Sequence, residues 1–192
     1  DLGFKAYVLK YRLPATGGVN YRHPVPLKDV QCAIRSVRMD AVLEGRRCDR
    51  VGIIGFSAGG HLAASAMTQY DCPIDEEPVS CRPDFGILVY PVISFRDEAL
   101  CHVGSRDNLL GPDASSVEWA DHSPELNVSA DTPTCFLAHA RNDEGVPFGN
   151  SVVMHDALRA SGVASELRLY EQGGHGFGMG APEHDCSQWS AE

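Results

Sequence analysis

Short apolar runs recur along this chain, and the stretches between them carry helical spacing. Residues 5–13, 50–56, 85–92, 134–140 and 164–171 read as strands. Leu27, Val30, Ile34 and Val37 form one helical stripe, Ala63 and Met67 stand four apart among good helix formers, and residues 150–160 predict another helix. Nearly continuous apolar strands separated by helices indicate a parallel sheet covered on both faces. The expected fold class is therefore α/β. Residues 94–131 break the rhythm with Trp119, several acidic residues and the turn former Gly111-Pro112. A connection of that length predicts a partly helical insertion covering a site.

The junction between the second run and the following helix is the chain's densest signal. Gly55-Phe-Ser-Ala-Gly-Gly60 places Ser57 between small residues. At a strand-to-helix turn this is the pattern of a nucleophile elbow, in which the hydroxyl projects from the sheet. The N–H of Ala58 would open the helix and serve as one oxyanion donor, aided by the partial positive charge there. Gly60 and Ala58 are expected to keep side chains off the attacking face.

A nucleophilic serine needs a base and a carboxylate to orient that base. Such groups are expected just beyond successive strands, in the order serine, acid, histidine. Asp143 follows the run ending at Ala140, and His175 follows the run ending at Glu171. All three would emerge at one edge of the sheet. Glu144 is the alternative acid; Asn142 cannot balance an imidazolium. Of the other histidines, His139 falls in a strand pattern, His61 and His155 in helices, and His23, His102, His122 and His184 in irregular stretches. These read as structural or solvated.

Composition narrows the partners. The 192 residues carry a net charge of -10 with 16 basic residues, which argues against nucleic acid or an anionic membrane and suits a neutral or cationic substrate. No run approaches the roughly 18 apolar residues of a membrane span. Any signal segment would precede Asp1, so localisation stays open. The seven cysteines show no C-x-x-C spacing, so no metal site is expected. Cys72 and Cys81 flank a Pro-containing acidic loop, and a bond between them stands open against buried free thiols.

Taken together, Gly55-Phe-Ser-Ala-Gly-Gly-His61, Gly104-Ser-Arg-Asp-Asn-Leu-Leu-Gly111, Asp143-Glu-Gly-Val-Pro147 with Asn150-Ser151, and Gly173-Gly-His-Gly-Phe-Gly178 resemble bacterial α/β-hydrolase esterases of the acetylxylan esterase type. Tyr11-Arg-Leu-Pro14 and His23-Pro-Val-Pro-Leu27 are similar to the segment preceding the elbow in the same group. The resemblance implies a triad of Ser57, Asp143 and His175, hydrolysis of short acyl esters on carbohydrate, and no metal or organic cofactor. The same triad serves amides, which leaves open an amidase-like or peptidase-like relative such as an arylformamidase or a prolyl-oligopeptidase hydrolase domain. A non-catalytic fragment is the third alternative.

The family also carries a His-Gly-Gly-type loop that supplies the second oxyanion donor. This chain shows no such loop. Counting back from the elbow, residues 5–13 correspond to the family's fourth strand, so about three strands and one helix lack a counterpart. The expectation is one α/β-hydrolase domain over residues 1–192, truncated at its N-terminus, cut near its last helix, and carrying exposed sheet edges that favour association.

Overall fold

In the computed structural model, which describes residues 4–13, 21–45, 50–70 and 79–191, four strands pair in parallel. They are β1 (Gly52–Phe56), β2 (Phe85–Val89), β3 (Thr134–Ala140) and β4 (Ser165–Tyr170), in the order β1-β2-β3-β4. The register runs Phe56 to Val89 to Ala138 and Ala140 to Tyr170, so the carboxyl ends of all four strands share one edge.

Among the described residues five α-helices accompany the sheet: α1 (Val25–Leu43), α2 (Ala58–Thr68), α3 (Val103–Leu110), α4 (Ser116–Asp121) and α5 (Gly149–Ala160). The core lies where α2 and α5 meet one face of the sheet, with Met67, Leu88, Leu137, Met154 and Leu158 fully buried. Each such side chain contributes about 2 kcal/mol by leaving water. Helix α1 uses the expected stripe of Leu27, Val30 and Ile34 to pack on Leu62 and Ala66 of α2.

One sequence expectation holds here and one is corrected. Both faces of the sheet are covered as expected, although the main helices gather on one. Strands added successively in one direction through right-handed crossovers bring their helices to the same side. The opposite face is capped mainly by Cys186 and Trp189 of the 3-10 turn Asp185–Ala191, while Ile54 is 50% and Phe56 37% exposed. Residues 5–13 were expected to form a strand but join no ladder. A β-rich composition makes a ladder only with a partner in register, and here Phe4, Val8 and Leu13 face solvent.

Between β2 and β3, residues 94–131 hold α3, α4 and the 3-10 turn Pro124–Asn127. Helix α4 starts in a capping box, Ser115 with Glu118. Two buried polar side chains fasten the entry to this segment. Asn150 Oδ1 accepts from the N–H groups of Ile93 and Ser94 at 2.9 and 3.0 Å, and Ser123 Oγ accepts from those of Phe95 and Arg96 at 2.9 and 3.0 Å. Asn150 Nδ2 also donates to Leu100 O and Pro147 O, tying the insertion to α5.

Cys32, Cys101, Cys135 and Cys186 are free thiols, and Cys81 Sγ donates to Tyr70 O at 2.8 Å. Cys72, and with it the Cys72–Cys81 pairing, lies outside the described residues, as does Cys48. No helix among the described residues is long and apolar enough to cross a membrane.

Candidate active site

Ser57 follows directly on β1 with φ 52° and ψ -122°. A residue with a Cβ enters this region only at a cost, so the surroundings must hold it there. Ser57 N donates to Val89 O at 3.2 Å, and Ser57 O accepts from Gly60, His61 and Val92 at 2.9, 3.2 and 3.1 Å. The neighbouring glycines are needed for different reasons. A Cβ at Gly55 would strike the Gly59 carbonyl, whereas one at Gly60 would lie 2.7 Å from Pro91 Cβ and 2.8 Å from Pro91 Cα. The expected role of Gly60 is corrected accordingly: it lets α2 seat against Pro91 rather than clearing the attacking face.

Because Gly60 and His61 close onto Ser57 O, the N–H groups of Ala58 and Gly59 stand ahead of the first closed turn of α2. That is the positive end of the helix dipole. Ala58 also lines a cavity of about 220 Å³ whose walls include Tyr11, His23, Phe95, Asn108 and His122.

His175 stands in the loop after β4. Its Nε2 accepts from Ser57 Oγ at 2.8 Å, and its Nδ1–H donates to Asp143 Oδ2 at 2.8 Å. Several ties fix this loop. Asp185 accepts the N–H groups of Glu171 and Gln172 at 2.8 and 3.1 Å, Asn142 Oδ1 accepts that of Gly174 at 2.8 Å, and the Tyr90 hydroxyl accepts that of Gly178 at 3.1 Å. Trp189 Nε1–H donates to Gly178 O at 2.8 Å. The Tyr90 ring packs edge to face on His175, with centroids 5.3 Å apart.

Asp143 is the meeting point of the loops after β3 and β4. Its buried carboxylate accepts from Gly145 and Val146 N–H on Oδ1 at 2.9 and 2.8 Å, and from His175 and His139 on Oδ2 at 2.8 and 3.2 Å. Burial pushes its pKa up, but the hydrogen bonds from His139, Val146 and His175 outweigh that and hold it at about 2. At neutral pH the group is an anion with four N–H donors.

Ser57, Asp143 and His175 therefore converge, with Ala58 beside them, and Asp143 rather than the exposed Glu144 meets His175. His61 is buried, stacks on Phe95 with centroids 4.3 Å apart and donates from Nε2 to His122 O at 2.9 Å. His23 packs edge to face on His122 at 4.1 Å, His155 accepts from Ser165 Oγ at 2.9 Å, and His102 caps α3. Sequence reasoning passed over His139, Tyr90 and the tethering role of Asn142. The available signal was the spacing of His139, four residues before Asp143 at the same strand end. Among the described residues no group of three or more His, Cys, Asp or Glu could hold a metal ion.

Residues 1–158 match the family model described as BD-FAE. The chain is 34% identical over 183 residues to an acetylxylan esterase of Xylanibacter ruminicola, covering 93% of this chain and 35% of that protein. It is 33% identical over 192 residues to endo-1,4-beta-xylanase B of Butyrivibrio fibrisolvens, covering 98% of this chain and 30% of that protein. The chain thus spans about a third of the length of these curated relatives. Among solved structures, the acetyl ester-xyloside bifunctional hydrolase from Caldicellulosiruptor lactoaceticus superposes with a TM-score of 0.82 at 39% identity, over 89% of this chain and 64% of that one.

Proposed function

The chain belongs to the BD-FAE family and has the α/β-hydrolase fold of its solved relatives, and from that premise we propose that it is a serine esterase removing short acyl groups from carbohydrate. The observation that carries this reading is the unbroken hydrogen-bond path from Ser57 Oγ through His175 to a buried, ionised Asp143. The relatives' names, acetylxylan esterase and acetyl ester-xyloside bifunctional hydrolase, support the ester and the sugar.

In the proposed reaction His175 Nε2 takes the Ser57 proton as Oγ attacks the ester carbonyl. Asp143 stabilises the imidazolium, and the Ala58 N–H donates to the developing oxyanion. Collapse passes the proton from His175 to the leaving sugar oxygen and leaves an acyl group on Ser57. Water, deprotonated by His175, then attacks that acyl-enzyme, and His175 returns the proton to Ser57 Oγ as the carboxylic acid leaves. The cavity beside Ala58 has room for a short acyl group, and walls without Asp, Glu, Lys or Arg among the described residues suit an uncharged ester.

The test is turnover of p-nitrophenyl acetate and acetate release from acetylated xylan. Both are expected to fall at least about 10⁴-fold in Ser57→Ala. Undiminished turnover in a folded Ser57→Ala protein would overturn the assignment, and faster cleavage of aminoacyl amides than of esters would replace it with an amidase.

A further inference from the structure

Two imidazoles share one oxygen of Asp143, and only one of them faces Ser57. The second, His139, is fully buried near the end of β3. Its Nε2 lies 3.2 Å from Asp143 Oδ2 and 3.0 Å from Val146 O. A carboxylate and a carbonyl can only accept, so Nε2 carries the hydrogen and shares it between them. The opposite nitrogen, Nδ1, is hydrogen-bonded to Ser151 Oγ on α5 at 2.8 Å. The connected groups are Ser151, His139, Asp143, His175 and Ser57 in that order.

We propose that His139 is a positioning residue for the Ser57 site, orienting the Asp143 carboxylate and moderating its charge toward His175. The inference rests on the esterase reading for its kinetic consequences, although the geometry stands without it. With Oδ1 held by two backbone N–H groups and Oδ2 by two rings, rotation of the carboxylate breaks bonds on both oxygens. Each donor to the anion also spreads its charge. Losing the His139 donor leaves Asp143 a stronger partner for the imidazolium of His175, which raises the basicity of the catalytic base. The other titratable group facing the pair is Tyr90, which packs on His175 from the loop after β2.

The experiment compares His139→Leu, His139→Gln and Ser151→Ala using p-nitrophenyl acetate across pH, with the low-field Nδ1–H proton of His175 followed by NMR. His139→Leu is expected to lower kcat about 10- to 100-fold, as loss of outer hydrogen-bond partners does at other functional groups. KM should stay within about twofold, and the acid limb of kcat/KM should move up by about half a unit. Glutamine, whose amide N–H can still reach Oδ2, is expected to recover most of both losses. Ser151→Ala leaves the His139 ring in place but strips Nδ1 of its partner, and is expected to lower kcat less than His139→Leu does.

A folded His139→Leu protein whose kcat falls with no movement of the acid limb, or does not fall at all, overturns the proposal. Should the leucine variant fail to fold, the His175 proton in His139→Gln carries the test, and an unmoved resonance overturns it. That resonance is read without turnover. A Ser57→Ala protein that keeps its activity would sink the esterase reading, while a shifted resonance would still support the placement of His139.

Discussion

At the carboxyl end of the sheet each loop is tied to the next, whereas along β1 and residues 4–13 the chain leaves apolar side chains in water. Asp143 has four donors, and the His175 loop is held by Asn142, Asp185, Tyr90 and Trp189. By contrast Val8 is 99% exposed and Ile54 half exposed, with no ladder between their segments. The difference lies in where the partners come from. Loops that leave adjacent parallel strands meet at once, while an edge strand depends on a neighbour brought from elsewhere in sequence.

The largest expected effect sharpens the tied side. Asp143→Asn keeps the shape of the side chain but removes the charge, and kcat for p-nitrophenyl acetate should fall about 10³- to 10⁴-fold with the fold intact by circular dichroism. A loss below tenfold would mean that His175 does not depend on this anion. Next comes Gly60→Val, which forces a branched side chain against Pro91. It should cost about 1–3 kcal/mol in urea unfolding and lower activity through displacement of Ser57. An unchanged midpoint would show that the elbow is less constrained than its contacts indicate.

A smaller, pH-dependent effect is expected from the cavity wall. Burial, with the neighbouring His122 and Lys28 adding to it, lowers the pKa of His23 to about 4, and burial lowers that of His61 to about 4. The unfolded chain takes up these protons near pH 6.5, whereas the folded chain does so only near pH 4. The cost of these two rings is therefore expected to grow as pH drops from about 6.5 to about 4, with the loss of the Asp143 anion adding to it at lower pH. Thermal melts in that window should show the slope, and His61→Phe should flatten it. A Tm independent of pH there would place both rings in water. At the open edge, Val8→Ser and Ile54→Thr should shift stability by no more than about 0.5 kcal/mol and leave turnover unchanged. A loss beyond about 1 kcal/mol at either site would erase the contrast between the two regions.

Ser57, Asp143 and His175 were legible because strand ends can be read from apolar runs and parallel strands share one edge. His139 was not, since a histidine inside a strand pattern shows nothing of the face it takes or of the loop that curls back beneath it. Gly60 misled for a related reason: its neighbour Pro91 is 31 residues away in sequence, and only packing of α2 on the sheet brings them together. Residues 5–13 have the composition of a strand, but pairing is a property of two segments and composition reports on one. Which face receives the main helices depends likewise on which side the crossovers fall.

The insertion enters the fold through two buried pins, Asn150 at Ile93 and Ser94, and Ser123 at Phe95 and Arg96. Neither pin belongs to the path from Ser57 to Asp143. Asn150 holds the start of the segment from α5, and Ser123 near its end binds back to Phe95 and Arg96, so the stretch carrying α3 and α4 is a loop with a closed neck, fastened by bonds that the reactive groups do not share.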